Sequence, residues 1–475
     1  MSFIRYKKIG QQEYAYEIRA YWDPKLRKPR QKSKYLGVVV DKEKKIFKKP
    51  EAGKIKTIQE KFILDCGDGY TLNQFTKNIG LADLLKKIFP TKYQSLLALI
   101  FHRLIYPSSM KQVGSWYEGN ILRKLLPETD LSSQRISELL KYFGSEDIQK
   151  KFFKAFIKKF VSSSSGIIID STALPNQIDI PFTTWGYGDG SIDKQIKFLF
   201  VADKESNMPI YYRCLPGNIS DVASLETTIK ELSGFCIDSN FVLLDAGYYS
   251  EANITELYER KINFVTRVPA SCSLHKKLIE NVVPTLEKPC YATILGKKRV
   301  LFIKKEAVDL FGNKAYAYVV LDQERKSRET RDLLLRRLDE DEENILEEKM
   351  LKRGVMILIS STEIAEAEIV STYYLRQSIE RLFCFSKSDL NLLPLRIHSQ
   401  EAMQGFLFIT FLALYLFMMI KEKLPKKTSV EDLLLSLRNI KCKVFDDDII
   451  IQEQTKKQQE LLQSLDIIMP KSLGI

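Results

Sequence analysis

Four polar residues recur along the stretch "YYLRQSIERLFCFSK" at 373–387: Tyr373, Arg376, Glu380 and Lys387. On a helix advancing about 100° per residue from Tyr373, Arg376 falls near 300°, Glu380 near 340° and Lys387 near 320°, one shared arc. Leu375, Ile379, Leu382, Phe383 and Phe385 occupy the other side. Taken alone, this is also the pattern of a solvated stripe on an amphipathic helix. Two further carboxylates follow short apolar runs, Asp170 after "GIII" and Asp245 after "FVLL". Ligands of open α/β sheets gather at strand ends, although a strand-end aspartate is often only a cap or turn residue. Three carboxylates on separate elements can bind a pair of hard cations through oxygen. Such a pair, about 4 Å apart, activates a water or a 3′-OH and stabilises the leaving oxygen in phosphodiester displacement. That chemistry needs no histidine, thiol or nucleotide. The chain has three histidines, no CxxC pair and no G-x-x-x-x-G-K-[ST] loop.

The elements that must position these residues are readable in outline. Residues 1–57 read as a β-rich module, with alternation in "YAYEIRAYW", a turn at "DPKLRKP" and a strand at "KSKYLGVVV". Residues 58–165 are helical and end in "SSSS" at 162–165. Residues 166–270 alternate strand and helix, with Ser220 or Asp221 as a helix cap. Residues 271–354 interrupt that texture with the hairpin-like "CYATILGKKRVLFIKK" and a charged stretch, 325–353, whose nine basic and nine acidic residues cancel. The α/β texture resumes over 355–425, and 426–475 reads as a helical tail expected to serve oligomerisation.

The 475 residues imply two to four domains, and 45% hydrophobic with 28% charged residues is ordinary soluble globular material. Seven scattered cysteines fit a reducing cytoplasm. "MSFIRYKKIG" has no apolar core and is not expected to act as a signal peptide. "FLFITFLALYLFMMI" at 406–420 falls short of the roughly 20 residues that span a bilayer, so it is expected as a buried helix and no membrane partner is expected. The net charge is +13, and residues 1–56 hold 17 Lys and Arg against 6 Asp and Glu. With Tyr and Trp interleaved, that basic module points to a polyanionic partner.

With these residues in place, the chain resembles DDE transposases of the insertion-sequence-four superfamily, in particular the insertion-sequence-1634 type. Tyr373, Arg376, Glu380 and Lys387 match that family's Y-(2)-R-(3)-E-(6)-K signature, "DSTAL" carries the first aspartate and "LLDAGYYS" the second. "WGYGDG" and "GNISDVASL" are also similar to family stretches. The resemblance implies an α/β fold: a ribonuclease H-like core with an inserted β-rich domain, preceded by a small β module and a helical region. It implies Asp170, Asp245 and Glu380 as catalytic residues and ligands of two Mg²⁺ ions, with Mn²⁺ as a substitute. Arg376 and Lys387 would then hold phosphates and Tyr373 would pack or hydrogen-bond on the same DNA, so neutralising either cation should leave metal affinity nearly unchanged. The implied partners are double-stranded DNA, as element ends and target, and a second copy in an active homodimer. The implied location is a prokaryotic cytoplasm, at the nucleoid.

One departure concerns tryptophan. Relatives that form hairpin ends stack a flipped base on a tryptophan of the inserted domain, whereas here Trp22, Trp116 and Trp185 all lie outside 271–353. Two other readings remain open at this level, a stand-alone metal-dependent nuclease of the same fold and a non-catalytic DNA-binding protein descended from a transposase. Terminal inverted repeats around the gene discriminate against the nuclease. His102, His275 and His398 read as structural or surface residues, and "SSQRISELLKYF" as a second candidate for groove reading.

Overall fold

The computed structural model describes every residue except 1, 10–11, 24–27, 50–59, 162–165, 189–190, 238, 297–298, 336–342, 394, 396, 447 and 475. The tip of the "DPKLRKP" turn, the boundary near residue 57, "SSSS" and part of the charged stretch thus lie outside the described residues. The chain forms two units, Met1–Lys61 with Phe445–Asp447, and the remainder.

In the first unit, period-two alternation gives an antiparallel sheet in the order β1 (Ser2–Ile9), β2 (Gln12–Asp23), β3 (Lys28–Asp41), β4 (Ile46–Lys48). Its interior is thin. Ala15 and Ile18 are buried, and Tyr16 and Tyr35 meet with ring centroids 5.3 Å apart.

The second unit opens with β5 (Phe62–Asp65) and seven helices: α1 (Gly67–Asn78), α2 (Leu81–Ile88), α3 (Tyr93–Ile105), α4 (Val113–Glu118), α5 (Leu122–Leu125), α6 (Ser133–Phe143) and α7 (Glu146–Phe160). Strands and helices then alternate as β6 (Ile167–Pro175), β7 (Thr184–Gly188), β8 (Ser191–Asp203), β9 (Pro209–Pro216), α8 (Asp221–Gly234), β10 (Phe241–Leu243), α9 (Glu251–Glu259) and β11 (Asn263–Arg267). After α10 (Ser273–Val282) come β12 (Ala292–Leu295), β13 (Arg299–Leu310), β14 (Asn313–Asp322), α11 (Gln323–Leu335), α12 (Glu343–Leu351) and β15 (Val355–Ser360).

Ten of these strands make one mixed sheet, in the order β12-β13-β14-β15-β11-β10-β6-β8-β7 with β9 also on β8. Only β6, β10 and β11 run parallel at its centre. Among the described residues, the interrupting segment 271–354 therefore builds no separate sheet. Its strands extend the central sheet through β15, which pairs β11 on one edge and β14 on the other. "VMILIS" is buried at every position, as a strand paired on both edges and covered on both faces must be.

The chain continues through α13 (Glu366–Tyr374), α14 (Gln377–Lys387), α15 (Gln400–Lys423), α16 (Val430–Arg438), β16 (Lys441–Val444), β17 (Asp448–Ile451), α17 (Lys456–Ser464) and β18 (Ser472–Gly474). The tail read as helical holds three strands. They form a sheet in the order β18-β17-β16-β5, closing back on residues 62–65. Four-residue strands such as "KCKV" are too short to show a period.

The central helix α15 is longer than its apolar run and long enough to cross a membrane, but 83% of its most apolar window is buried inside the protein. Phe152 and Phe156 of α7 pack on Phe408 and Tyr415 of α15, each pair with centroids 4.9 Å apart. An i,i+4 spacing on α7 meets an i,i+7 spacing on α15, one helical face on each side of that seam. α6 lies so close to α15 that a Cβ on Gly405 would stand 1.9 Å from the Leu140 carbonyl oxygen.

Candidate active site

The two aspartates emerge side by side. β10 runs parallel to β6 with Val242 beside Ile167 and Leu243 beside Ile168, an offset of 75 residues. Asp170 and Asp245 share that offset, so each lies two residues past paired neighbours on adjoining strands, which are spaced about 4.8 Å apart. Ile167, Ile168 and Ile169 are buried and fix β6 in the core. Asp245 starts a short 3-10 turn, Ala246–Tyr248, just beyond β10.

The stretch 373–387 is not one helix. Leu375 and Arg376 form a tight joint between α13 and α14, with Leu375 N donating to Thr372 O and Arg376 N to Tyr373 O, both at 3.2 Å. These i→i+3 bonds tighten the turn and shift the helical phase. Tyr373 consequently faces inward: it is 5% exposed and its hydroxyl donates to Asp245 Oδ1 at 3.0 Å. The expectation that it packs or hydrogen-bonds on DNA does not match this placement, in which the hydroxyl is spent on Asp245. α14 rests Phe383 against Phe200 of β8, centroids 5.2 Å apart. Phe200 pairs with Asp170 across the ladder, so α14 lies over the sheet face that carries Asp170.

Arg376, the residue before α14, draws the acids together. Its Nη1 donates to Asp170 Oδ2 at 2.6 Å, its Nη2 donates to Glu380 Oε1 at 2.7 Å, and Nη1 stands 3.8 Å from Asp245 Oδ2. Asp170 is the most enclosed of the three and Glu380 the most open, with side chains 11% and 51% exposed. Burial pushes the Asp170 carboxyl up to about 7, despite the opposing pull of Arg376. Burial likewise works against the charge on Arg376, but Asp170 and then Asp245 hold the guanidinium above its ordinary value. Lys387, at the far end of α14, donates to Thr172 Oγ1 at 2.9 Å, and Thr172 lies two residues past Asp170 on the same face.

A second layer was not singled out from the sequence. Asp221, read as a helix cap, accepts from Ser171 Oγ at 2.5 Å and from Lys197 Nζ at 3.0 Å on the opposite face of β6. The cap itself is Ser220, whose side chain accepts from Ala223 N. Ser171 is thereby fixed between two acids, a role visible only once β6 and β8 are paired. Of the remaining residues weighed from sequence, His102 and His275 are buried, and His398 and Trp185 are exposed.

The donors around Arg376 are carboxylate oxygens only, the set that hard divalent cations prefer. A cation already sits among them in the form of the guanidinium. Among the described residues no three acids, histidines or cysteines stand close enough to hold one metal ion. The donor type suits a divalent ion, while in this arrangement Arg376 takes the space between the three carboxylates.

The family described as Transposase DDE domain matches residues 162–416, more than half of the chain, and that segment contains all three carboxylates. No curated protein matches the sequence. Among solved structures, the chain is similar to a piggyBac transposase synaptic complex with hairpin DNA, at 14% identity and a TM-score of 0.41, over 73% of this chain and 70% of that one. A likeness of that size is too distant to assign residues by.

Proposed function

We propose, from the premise that this chain belongs to the Transposase DDE domain family and is a transposase enzyme of that class, that it binds the ends of an insertion sequence, cleaves DNA and joins the ends to target DNA. The observation that carries this reading is the convergence of Asp170, Asp245 and Glu380 on Arg376 inside the family-matched segment. The core is read as ribonuclease H-like. The finer placement, insertion-sequence-four superfamily and 1634 type, rests on the spacing of Tyr373, Arg376, Glu380 and Lys387.

Enzymes of this family use divalent metal ions, and we assign Asp170, Asp245 and Glu380 to hold two Mg²⁺, which when bound supply Lewis-acid stabilisation and an activated nucleophile. Asp170 and Asp245 present their oxygens from adjoining strands and Glu380 from the helix above. Tyr373 fixes the Asp245 carboxylate through its hydroxyl. Arg376 balances the acids' charge, and once released from them its fork suits a phosphodiester. Lys387, held over β6 by Thr172, is placed to take a neighbouring phosphate as a point charge. The basic N-terminal unit adds affinity for the DNA backbone, and the active complex is read as a homodimer.

The test is cleavage of a supercoiled plasmid carrying the element's ends, in Mg²⁺, by Asp170→Ala, Asp245→Ala and Glu380→Gln. Each should abolish cleavage while retaining end binding. Near-wild-type cleavage by any one removes that residue from the assignment.

A further inference from the structure

Beyond Arg19 the N-terminal sheet narrows to two strands. β1 ends there, with Ser2 opposite Arg19, and β4 pairs only with residues 38–41 of β3. β2 and β3 continue alone as an antiparallel ribbon, with Ala20 opposite Gln31, Tyr21 opposite Arg30, Trp22 opposite Pro29 and Asp23 opposite Lys28. Every residue of β3 from Lys28 to Lys34 is exposed, and Trp22 is 61% exposed. No core holds this ribbon, and a lone two-stranded ribbon is marginal in water.

The register sorts its side chains by charge. Directly opposed residues share a face, so Glu17, Arg19, Tyr21 and Asp23 lie on one face with Lys34, Lys32, Arg30 and Lys28. That face has five cations and two acids. The other face of the two-stranded part has none: Ala20, Trp22, Pro29 and Gln31. Arg19 and Arg30 lean on the two acids, 3.0 Å from Glu17 and 3.8 Å from Asp23. Arg19 also stands directly across the ladder from Lys32, and like charges so placed destabilise a sheet. A protruding ribbon with one cationic face and a like-charge pair is poorly built for its own stability and well built for a polyanion.

Dimensions narrow the choice. Two paired strands lie about 4.8 Å apart, and a major groove about 12 Å wide admits a two-stranded ribbon with its side chains. Arginine presents a planar fork that matches the O6 and N7 acceptors of guanine, whereas lysine serves phosphate as a point charge. We propose that the ribbon of β2 and β3 enters the major groove of duplex DNA with Arg19, Tyr21 and Arg30 toward the base edges and Lys28, Lys32 and Lys34 on the flanking phosphates. The assignment rests on the reading of the chain as a DNA transposase and adds to it the surface that reads sequence.

The experiment uses the full chain carrying Asp170→Ala, without divalent metal, so that only binding is measured and a failure of the catalytic assignment cannot alter the result. The probes are random-sequence duplexes and the same duplexes methylated at guanine N7 by dimethyl sulfate. Lys28→Gln with Lys32→Gln should lower the slope of log K against log salt by about two, since each phosphate contact contributes about 0.9. Arg19→Lys with Arg30→Lys keeps the charge, so it should keep the slope and lose the penalty that N7 methylation imposes on the parent. Gln31→Ala, on the other face, should bind as the parent does. A slope unchanged by the lysine pair overturns the proposal and moves the footprint elsewhere, with α6 the next surface to test. A parent indifferent to N7 methylation overturns groove entry, and a loss in Gln31→Ala equal to that of the lysine pair overturns the choice of face. Circular dichroism melts matching the parent establish that each variant is folded.

Discussion

Arg376 and Asp170, 206 residues apart in sequence, form a 2.6 Å charge-assisted contact at the centre of the acidic cluster. If the three carboxylates hold the metal ions as proposed, guanidinium and divalent cation compete for the same oxygens. Arg376 touches all three proposed ligands, so this geometry replaces the expectation of unchanged metal affinity with a prediction of tighter binding once the cation is removed. Arg376→Ala should tighten Mn²⁺ binding, titrated by electron paramagnetic resonance, by on the order of tenfold, the equivalent of one lost charge-assisted contact. The metal-free variant should also melt below the parent, because three carboxylates are left facing one another, and Mg²⁺ should restore much of the loss. Unchanged Mn²⁺ affinity would show that the guanidinium and the metals do not share the site.

Calcium separates binding from turnover. Ca²⁺ takes more oxygen ligands at longer distances than Mg²⁺, so it should satisfy the three carboxylates without supporting cleavage. End binding in Ca²⁺ should match that in Mg²⁺ by gel shift while product falls to background. Cleavage in Ca²⁺ at a rate near that in Mg²⁺ would contradict the role given to these acids.

His102 sets an acid limit on stability. It is fully buried against Trp116, its Nε2 lies 3.2 Å from Ser108 Oγ, and burial pushes its pKa down to about 3. The unfolded chain takes up this proton near pH 6.5, and the folded chain does not until about pH 3. The unfolded state therefore binds more protons throughout that window. The contribution is fully present above 6.5 and is lost as pH falls, at about 1.4 kcal/mol per pH unit. Between about pH 6.5 and pH 5 the parent should lose about 2 kcal/mol more than His102→Gln in urea unfolding. Parallel pH profiles would refute the buried neutral imidazole.

Gly405 tests the seam between α6 and α15. A Cβ there would meet the Leu140 carbonyl at 1.9 Å, backbone that cannot rotate away, whereas one at Gly119 meets nothing nearer than 3.6 Å. Gly405→Ala should destabilise by about 1–3 kcal/mol or more, and Gly119→Ala by less than about 0.5 kcal/mol. Equal melting temperatures for the two variants would contradict the close approach.

The mixed α/β texture and the strand-end aspartates were legible because "GIII" and "FVLL" are apolar runs closed by an acid. The separation of 75 residues between Asp170 and Asp245 was countable too. Its meaning was not, since a register offset exists only once β6 and β10 pair. The joint at Leu375 and Arg376 was illegible for a related reason: two helices tightened by a pair of i→i+3 bonds keep nearly the same apolar spacing as one. That hid the inward turn of Tyr373. The strands of 271–354 were legible as a hairpin-like stretch, but a hairpin names its own pairing and not an outer partner, so their joining of the central sheet could not be read.

Lys387 offers the sharpest test of the far end of α14. Its ammonium is held over β6 by Thr172, two residues past Asp170, and it touches none of the three carboxylates through any hydrogen bond or ion pair in the structure. If it takes a phosphate of the cleaved end, Lys387→Ala should slow strand transfer from pre-cleaved ends by roughly ten- to hundredfold, the worth of one charge-assisted contact. Mn²⁺ affinity should stay at the parent's value, in contrast to Arg376→Ala. Thr172→Val removes the hydroxyl that positions the ammonium and keeps the charge, so its loss should be smaller and should lessen as salt is lowered. A solvated surface lysine would show effects near zero in both variants. Parent rates from pre-cleaved ends in Lys387→Ala would take this residue out of the DNA path.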